Sequence, residues 1–153
     1  MANLDDIDRR LLAELQAEGR VTNVELAQRV GLTAPPCLRR VRALEDAGLI
    51  RGYHADLDGA KLGFAITVFA MVSLKSQAEE ALRQFEEHMR ALPEVRECHM
   101  LNGEIDFILK IVSKDLQSFQ EFLTGKLTPA PNVESVKTSL TIRTAKQEPG
   151  VPL

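Results

Sequence analysis

The stretch from residue 22 to residue 48 constrains the fold most, because it carries start and stop signals for two short helices. Thr22 followed by Glu25 has the spacing of a capping box, which marks the beginning of a helix. Gly31 can adopt the positive φ that ends that helix, and Thr33 can cap the next one. Two short helices joined by a glycine turn are typical of a helix-turn-helix motif.

The second helix of this pair is predicted to carry a basic face. At about 100° per residue, Arg39 lies at the centre of the face opposite the apolar stripe, and Arg40 and Arg42 flank it. Guanidinium groups can fork onto guanine or contact phosphates in a major groove, which indicates DNA binding, although a plain solvated helix face is the alternative. The candidate DNA-contacting residues are Asn23, Thr33, Pro36, Arg39, Arg40 and Arg42.

The first 63 residues therefore predict a helical DNA-binding domain and a connecting segment. Helices are predicted over residues 5–18, 23–30 and 35–47. The stripe of the third helix that is expected to face the core consists of Leu38, Val41 and Leu44. Residues 49–57 alternate loosely, which favours a short strand or wing, and a linker follows as far as Gly63.

From residue 64 onward, strand patterns are separated by amphipathic helix patterns. The predicted elements are a strand at 65–74, a helix at 77–91, strands at 95–101 and 106–113, a helix at 115–124 and a strand at 134–143. Ser76 with Glu79 is a second capping-box pattern. The buried side of the second helix is expected to contain Leu116, Phe119 and Leu123. The order βαββαβ predicts a ferredoxin-like sandwich, so the fold class is α+β.

The first and third of these strands are apolar on both faces, as central strands should be, whereas the last alternates like an outer strand. Because the helices of this fold cover only one face of the sheet, the other face would be a large exposed apolar patch. We therefore predict dimerisation, sheet against sheet, through residues 64–74 and 106–113. A linker folded back over that face is the alternative.

Composition narrows the class of protein. The chain has 153 residues, a net charge of -3 and two cysteines, too few for a disulfide framework and consistent with the cytoplasm. No apolar run is long enough to cross a membrane, and the N-terminus lacks the pattern of a signal peptide. The predicted organisation is a DNA-binding domain at 1–50, a strand and linker at 51–63, an oligomerisation domain at 64–143 and a flexible tail at 144–153.

Several motifs of the chain resemble the Lrp/AsnC, or feast/famine, family of transcription regulators. The most specific matches are residues 4–8 (LDDID), 23–27 (NVELA), 36–45 (PCLRRVRALE), 48–53 (GLIRGY) and 101–107 (LNGEIDF). The run PCLRRVR is most similar to the leucine-responsive branch of the family. The resemblance covers about residues 4 to 143 and implies a winged helix-turn-helix domain followed by a RAM-type effector domain.

The resemblance also implies double-stranded DNA as a partner, a small effector, commonly an amino acid, and assembly into dimers and then octamers or larger rings. The effector residues it implies are Leu101, Asn102, Gly103 and Asp106. A glycine would let backbone amides approach a carboxylate, and an aspartate can pair with an ammonium group. Asn102 departs from the hydroxyl residue usual in the family, and Asn132 replaces a glycine whose positive φ it can adopt.

Two other classes of function compete with this hypothesis. A metal-sensing or thiol-redox-sensing winged-helix repressor could use Cys37, Cys98, His99 and His54. However, Cys98 and His99 are adjacent in a predicted strand and should point to opposite faces. An enzyme is the other alternative, but no nucleophile–base pattern, phosphate loop or catalytic carboxylate pair supports it. No cofactor is expected.

Overall fold

The computed structural model describes residues 4–153, so the first three residues of the predicted DNA-binding domain lie outside the described part. The chain divides into two compact units. The first comprises the residues up to Asp56 together with Lys146–Leu153, and the second comprises Leu57–Ala145. Most of the segment that we predicted to be a flexible tail, Lys146–Leu153, is thus grouped with the N-terminal unit.

The N-terminal unit contains three helices, in agreement with the sequence pattern. They are α1 (Asp6–Ala17), α2 (Asn23–Val30) and α3 (Ala34–Asp46). Asp5 caps α1, because its side chain accepts a hydrogen bond from the backbone N–H of Asp8 at 2.8 Å. The helices bury a shared core of Leu11, Leu26, Ala27, Val30, Cys37, Val41 and Leu44.

Two details of this unit differ from the prediction. Leu38 is 38% exposed, and the buried stripe of α3 begins at Cys37, which lies on the same side of the helix as Val41. Residues 51–58 have no regular secondary structure, where we expected a short strand. An alternating sequence forms a strand only beside a partner strand, and the described part of the chain offers none here.

The second unit has the predicted βαββαβ order. Its elements are β1 (Ile66–Leu74), α4 (Glu79–Arg90), β2 (Val95–Met100), β3 (Phe107–Ser113), α5 (Leu116–Phe122), a π-helical turn (Leu123–Leu127) and β4 (Val133–Leu140). The sheet is antiparallel with the order β2-β3-β1-β4. The first and third strands are therefore central and the last strand is at an edge, as the sequence predicted.

One face of the sheet packs against the helices and forms the core of this unit. Val68, Ala70 and Val72 of β1 alternate inward, as do Leu109 and Ile111 of β3. The rings of Phe85 on α4 and Phe107 on β3 lie 4.8 Å apart at 48°, and both are buried. This aromatic contact joins the first helix of the unit to the central strands.

The starts of both helices in this unit differ from the sequence pattern. The predicted capping box at Ser76 is wrong: α4 begins at Glu79, and the Ser76 hydroxyl instead accepts the N–H of Ala78 at 3.2 Å. Leu116, which we expected in the core, is 60% exposed, and Phe122 is buried beside Phe119. Over the part of the chain that is described, no helix has the length and apolar character needed to cross a bilayer.

We expect Phe85→Ala to lower the free energy of unfolding by about 3–5 kcal/mol, because it leaves a cavity against Phe107. The control is Leu116→Ala, which removes an apolar side chain that is largely in solvent and should change stability by no more than about 0.5 kcal/mol. Urea unfolding followed by circular dichroism measures both. Equal effects of the two substitutions would contradict the packing described.

Candidate DNA-binding and effector sites

The turn between α2 and α3 has the geometry of a helix-turn-helix motif. The Thr22 hydroxyl accepts the N–H of Glu25 at 3.2 Å, so the predicted cap of α2 is confirmed. Gly31 ends α2 with φ 76° and ψ 33°, a conformation that favours glycine. The N–H of Leu32 then donates to the carbonyl of Ala27 at 2.8 Å and closes the turn.

The start of α3 lacks the side-chain cap that we predicted from Thr33. Thr33 occupies the N-cap position, but its hydroxyl makes no capping hydrogen bond. A capping hydroxyl accepts from the second or third residue of the helix, and here these are Pro35 and Pro36, which have no N–H. Asn23 fastens this end instead, since its side-chain amide donates to the carbonyl of Ala34 at 2.8 Å.

The outer face of α3 is basic and open to solvent. Arg39 and Arg42 are both exposed, and within residues 4–153 neither forms an ion pair or a side-chain hydrogen bond. Pro36 is partly buried near the start of the helix, and Thr33 is exposed just before it. The structure therefore brings four of the predicted DNA-contacting residues to the outer face or the start of one helix.

Arg40 differs from Arg39 and Arg42 because carboxylates of the same unit hold it, and its contact with DNA stays a prediction. Its guanidinium lies 2.7 Å from a carboxylate oxygen of Asp5 and 2.7 Å from one of Asp8. These hydrogen bonds raise the pKa of Arg40, and the pKa of Asp5 is lowered by the N–H of Asp8 and then by Arg40. Arg40 therefore fastens α3 to the start of α1.

A second arginine anchors α2 to α1 and was missed in the sequence. Arg29 lies 2.6 Å from Glu25, 2.8 Å from Glu18 and 3.2 Å from Glu14. Hydrogen bonds to these three carboxylates raise the pKa of the guanidinium, and Glu25 contributes most. The spacing of Glu14 and Glu18, four residues apart on one helix face, is the signal that could have indicated a shared cation.

The predicted effector residues lie on the connection between β2 and β3. Leu101, Asn102 and Gly103 are exposed, and the N–H of Leu101 donates to the carbonyl of Asp106 at 2.8 Å. Gly103 is not among the residues with positive φ, and an added Cβ would meet no atom within 4 Å. Gly103 therefore leaves open space in which a ligand can approach the backbone closely, and it does not supply a positive φ.

Asp106 fastens this loop to the end of β1. One of its carboxylate oxygens accepts the N–H of Leu74 at 2.6 Å, and its own N–H donates to the carbonyl of Val72 at 3.0 Å. The side-chain amide of Gln77 lies 3.4 and 3.5 Å from the two carboxylate oxygens. Asp106 therefore has a structural role, which is to join the loop to β1. Its carboxylate oxygens can still accept further hydrogen bonds.

Two polar residues beside this loop were not singled out as site residues. Gln77 faces Asp106, and Asn132 accepts the N–H of Ser76 at 3.0 Å while donating to its carbonyl at 2.8 Å. Asn132 has φ 67°, so the prediction that it takes the positive φ of a glycine is confirmed. Both contacts join distant parts of the chain, and no short-range sequence signal predicts them.

A pocket in this unit lies away from the predicted effector residues. A pocket of about 440 Å³ lies between α4 and β2, with Met89, Val95 and Cys98 among its lining residues. None of the predicted effector residues contributes to it. An exposed loop becomes an enclosed binding site only when a further surface covers it.

The face of the sheet away from the helices is partly apolar and partly exposed. The register places Phe69 and Met71 of β1 beside Lys110 and Ile108 of β3 on this face. Phe69 is 38% exposed. Lys110 pairs with Glu97 at 2.9 Å, so charged groups lie beside the apolar centre.

The cysteines and histidines have poor geometry for the competing metal-sensor or redox-sensor hypothesis. Cys98 shares the helix-covered face with its partner Leu109, whereas His99 is paired with Ile108 on the opposite face. Burial raises the pKa of the Cys98 thiol to about 11, with a further contribution from Glu86, and Cys37 is fully buried in the other unit. Residues 4–153 contain no cluster of three or more metal-ligating side chains.

Comparison with known proteins agrees with this division into two functions. Residues 4–51 match the family described as winged helix-turn-helix DNA-binding, and residues 67–151 match the Lrp/AsnC ligand binding domain. The chain is 52% identical over 143 residues to the leucine-responsive regulatory protein of Rhizobium meliloti (strain 1021), covering 94% of this chain and 92% of the relative. It is 41% identical over 153 residues to the Bkd operon transcriptional regulator of Pseudomonas aeruginosa, with complete coverage of both.

Solved structures lead to the same conclusion. A transcriptional regulator from Neisseria meningitidis, solved as a complex with L-Met, superimposes with a TM-score of 0.94 at 36% identity and covers 98% of this chain and 97% of its own. Matches over both units, together with the capped helix-turn-helix and the four-stranded sandwich, identify the family. The chain belongs to the Lrp/AsnC family of DNA-binding transcription regulators, which carry a ligand-binding domain.

Proposed function

We propose that the protein reads operator DNA with the outer face of α3 and that Arg39 and Arg42 make the main contacts. The observation that carries this proposal is that some arginines of the domain are paired with carboxylates and others are exposed. Arg29 and Arg40 are held by carboxylates of the same unit, whereas Arg39 and Arg42 remain exposed on one helix face. Free guanidinium groups on a helix that fits a major groove suit base edges and phosphates.

The start of α3 supplies further contacts in this proposal. The Thr33 hydroxyl is not used as a cap, so it is available to donate to a phosphate oxygen. Asn23 supports the reading helix from behind through its bond to Ala34, and we assign it a positioning role rather than a contact with DNA. Pro36 is assigned to the edge of the groove, where its ring can meet sugar or a thymine methyl group.

Two subunits are proposed to join through the sheet face that carries Phe69 and Met71. Burying this face would remove an apolar patch from water, and a dimer would place two reading helices about 34 Å apart, or a multiple of this, along the duplex. Dimers are proposed to assemble further into an octamer or larger ring in the cytoplasm. Contacts added by several subunits would compensate for the net charge of -3 on each one and for the few basic residues on its reading helix.

The effector is proposed to be an amino acid bound at the loop from Leu101 to Asp106. The relative from Neisseria meningitidis that is 36% identical was solved with L-Met, which supports this class of ligand. Asp106 would pair with the ammonium group, and exposed backbone near Gly103 would accommodate the carboxylate. Because the loop is open in one subunit, a neighbouring subunit would complete the site, so binding would shift the assembly equilibrium.

We expect Arg39→Ala to weaken binding to an operator selected from random duplexes by about 1–3 kcal/mol, because a guanidinium that reads a base is lost. Fluorescence anisotropy against the operator and against random DNA measures the effect. Arg40→Ala is the matched control: it should lower thermal stability through Asp5 and Asp8 but leave the preference for the operator unchanged. An equal loss on both duplexes for Arg39→Ala would mean that this residue contacts only phosphate.

Asp106→Asn keeps an oxygen that can accept the N–H of Leu74 but removes the negative charge. We expect it to weaken amino acid binding by about 1.5–3 kcal/mol, the range for hydrogen bonds to charged groups. A thermal-shift screen of the twenty amino acids on the wild type identifies the ligand and then compares the variants. Glu104→Gln removes a charge from the same loop as a control, and an undiminished shift in Asp106→Asn would exclude the proposed role.

Phe69→Glu is expected to dissociate the protein into monomers at micromolar concentration, since it would bury a carboxylate at the proposed dimer interface. Sedimentation velocity reports the mass. Leu116→Glu introduces the same charge at an exposed position on α5 and should leave assembly intact. If Phe69→Glu sediments like the wild type, another surface forms the dimer.

A further inference from the structure

The C-terminal segment makes a specific contact with α1. The side-chain amide of Gln16 donates to the carbonyl of Val151 at 2.8 Å, and its oxygen accepts the N–H of Val151 at 2.9 Å. One side chain therefore satisfies both backbone polar groups of one residue. This two-point contact recognises extended backbone and does not depend on the side chain of Val151, which is 58% exposed.

Pro149 and Pro152, which lie on either side of Val151, favour this contact. Pro152 follows it, and a residue before proline is restricted to extended conformations. In an extended residue the N–H and the carbonyl point to the same side, as they do along a strand, which is the arrangement that a single amide group can bridge. Pro149 also lacks an N–H, so few donors nearby compete with that of Val151.

Gly150 allows the segment to approach α1 closely. Its φ is 75°, and a Cβ built at this position would lie 1.9 Å from the side-chain oxygen of Gln16. An alanine there would be strained by the backbone conformation and would also push the Gln16 amide away from Val151. In the sequence EPGVP, Gly150 therefore allows the close approach to α1, and the prolines restrict the backbone of Val151, which the Gln16 amide binds.

We infer that the Gln16 side of α1 is a docking site for residues 146–153 of the same chain, which we call the strap. The chain leaves the N-terminal unit at Asp56 and returns to it at Lys146, so a docked strap is a second covalent tether on the DNA-binding unit. A second tether limits the orientations that the unit can explore. This inference rests on the proposed function, in which two reading helices pair on the duplex. Strap docking then sharpens the preference of the protein for one spacing between two half-sites of the DNA.

The first test measures docking directly in the full-length protein. Gln16→Ala and Gly150→Ala are each expected to make the amide hydrogen of Val151 exchange about tenfold faster, as followed by NMR. Val151→Ala is the matched control, since it keeps the backbone groups and the following proline and should leave exchange at residue 151 slow. Unchanged exchange in Gln16→Ala would overturn the inference.

The second test asks whether the strap docks on its own chain. Ala17→Cys, at the exposed position next to Gln16, is combined with Val151→Cys in a Cys98→Ser background, so that the Gln16 amide is kept; the protein is treated with a short bismaleimide and run on a denaturing gel. A cross-linked band at the mass of one chain is expected, and a band at twice that mass would contradict docking within the chain.

The third test measures the consequence for DNA. For the wild type, shifting two half-sites by about half a helical turn should weaken binding, and in a chain ending at Ala145 this penalty should be roughly fivefold smaller. An equal penalty in both proteins would refute the effect on spacing. Failure of the wild type to bind any duplex would instead refute the proposed function, while the exchange and cross-linking results would still report on docking.

Discussion

The second unit depends on one constraint, which is the exposure of its four-stranded sheet. The central strands are apolar on both faces of the sheet, but helices cover only one face. The inward residues of β1 and β3 form the core with Phe85 and its neighbours. The outward residues, of which Phe69 is 38% exposed, have no helix to cover them. The same alternation that builds the core thus leaves apolar side chains on the outward face, and the proposed association between chains rests on them.

The DNA-binding unit differs, because its three short helices share a small core. Seven buried side chains make up that core, and two arginines supplement it by joining α1 to each of the other helices. Arg29 spans α1 and α2, and Arg40 spans α1 and α3. Among the described residues, Arg29 and Arg40 bind carboxylates within the fold, whereas Arg39 and Arg42 form no ion pair and are available to a polyanion.

The failures of sequence reasoning have identifiable physical causes. Thr33 does not cap α3 because the prolines that start the helix have no N–H to offer. Residues 51–58 alternate like a strand but lack a partner strand in the part of the chain that is described. The ion pairs of Arg40 with Asp5 and Asp8 were not predicted, because periodicity shows which side of a helix a residue is on, not which carboxylates lie opposite. The effector loop that we propose was predicted from family motifs, whereas its attachment through Asp106 to Leu74 joins residues 32 positions apart and was not predicted.

The sequence alone determined the family, the order of the helices and strands, the central and outer positions of the strands, and the position of the helix that we propose reads DNA. The family was indicated by the resemblance of several motifs, whereas the order and positions of the elements depend on local signals such as glycine turns, proline positions and the periods of apolar residues, which act over a few neighbouring residues. Only the tertiary structure decided which arginines pair with carboxylates, which backbone groups Asp106 binds, and that Gln16 binds the backbone of Val151. These contacts join residues up to 135 positions apart, and their formation depends on how whole elements pack rather than on any local pattern.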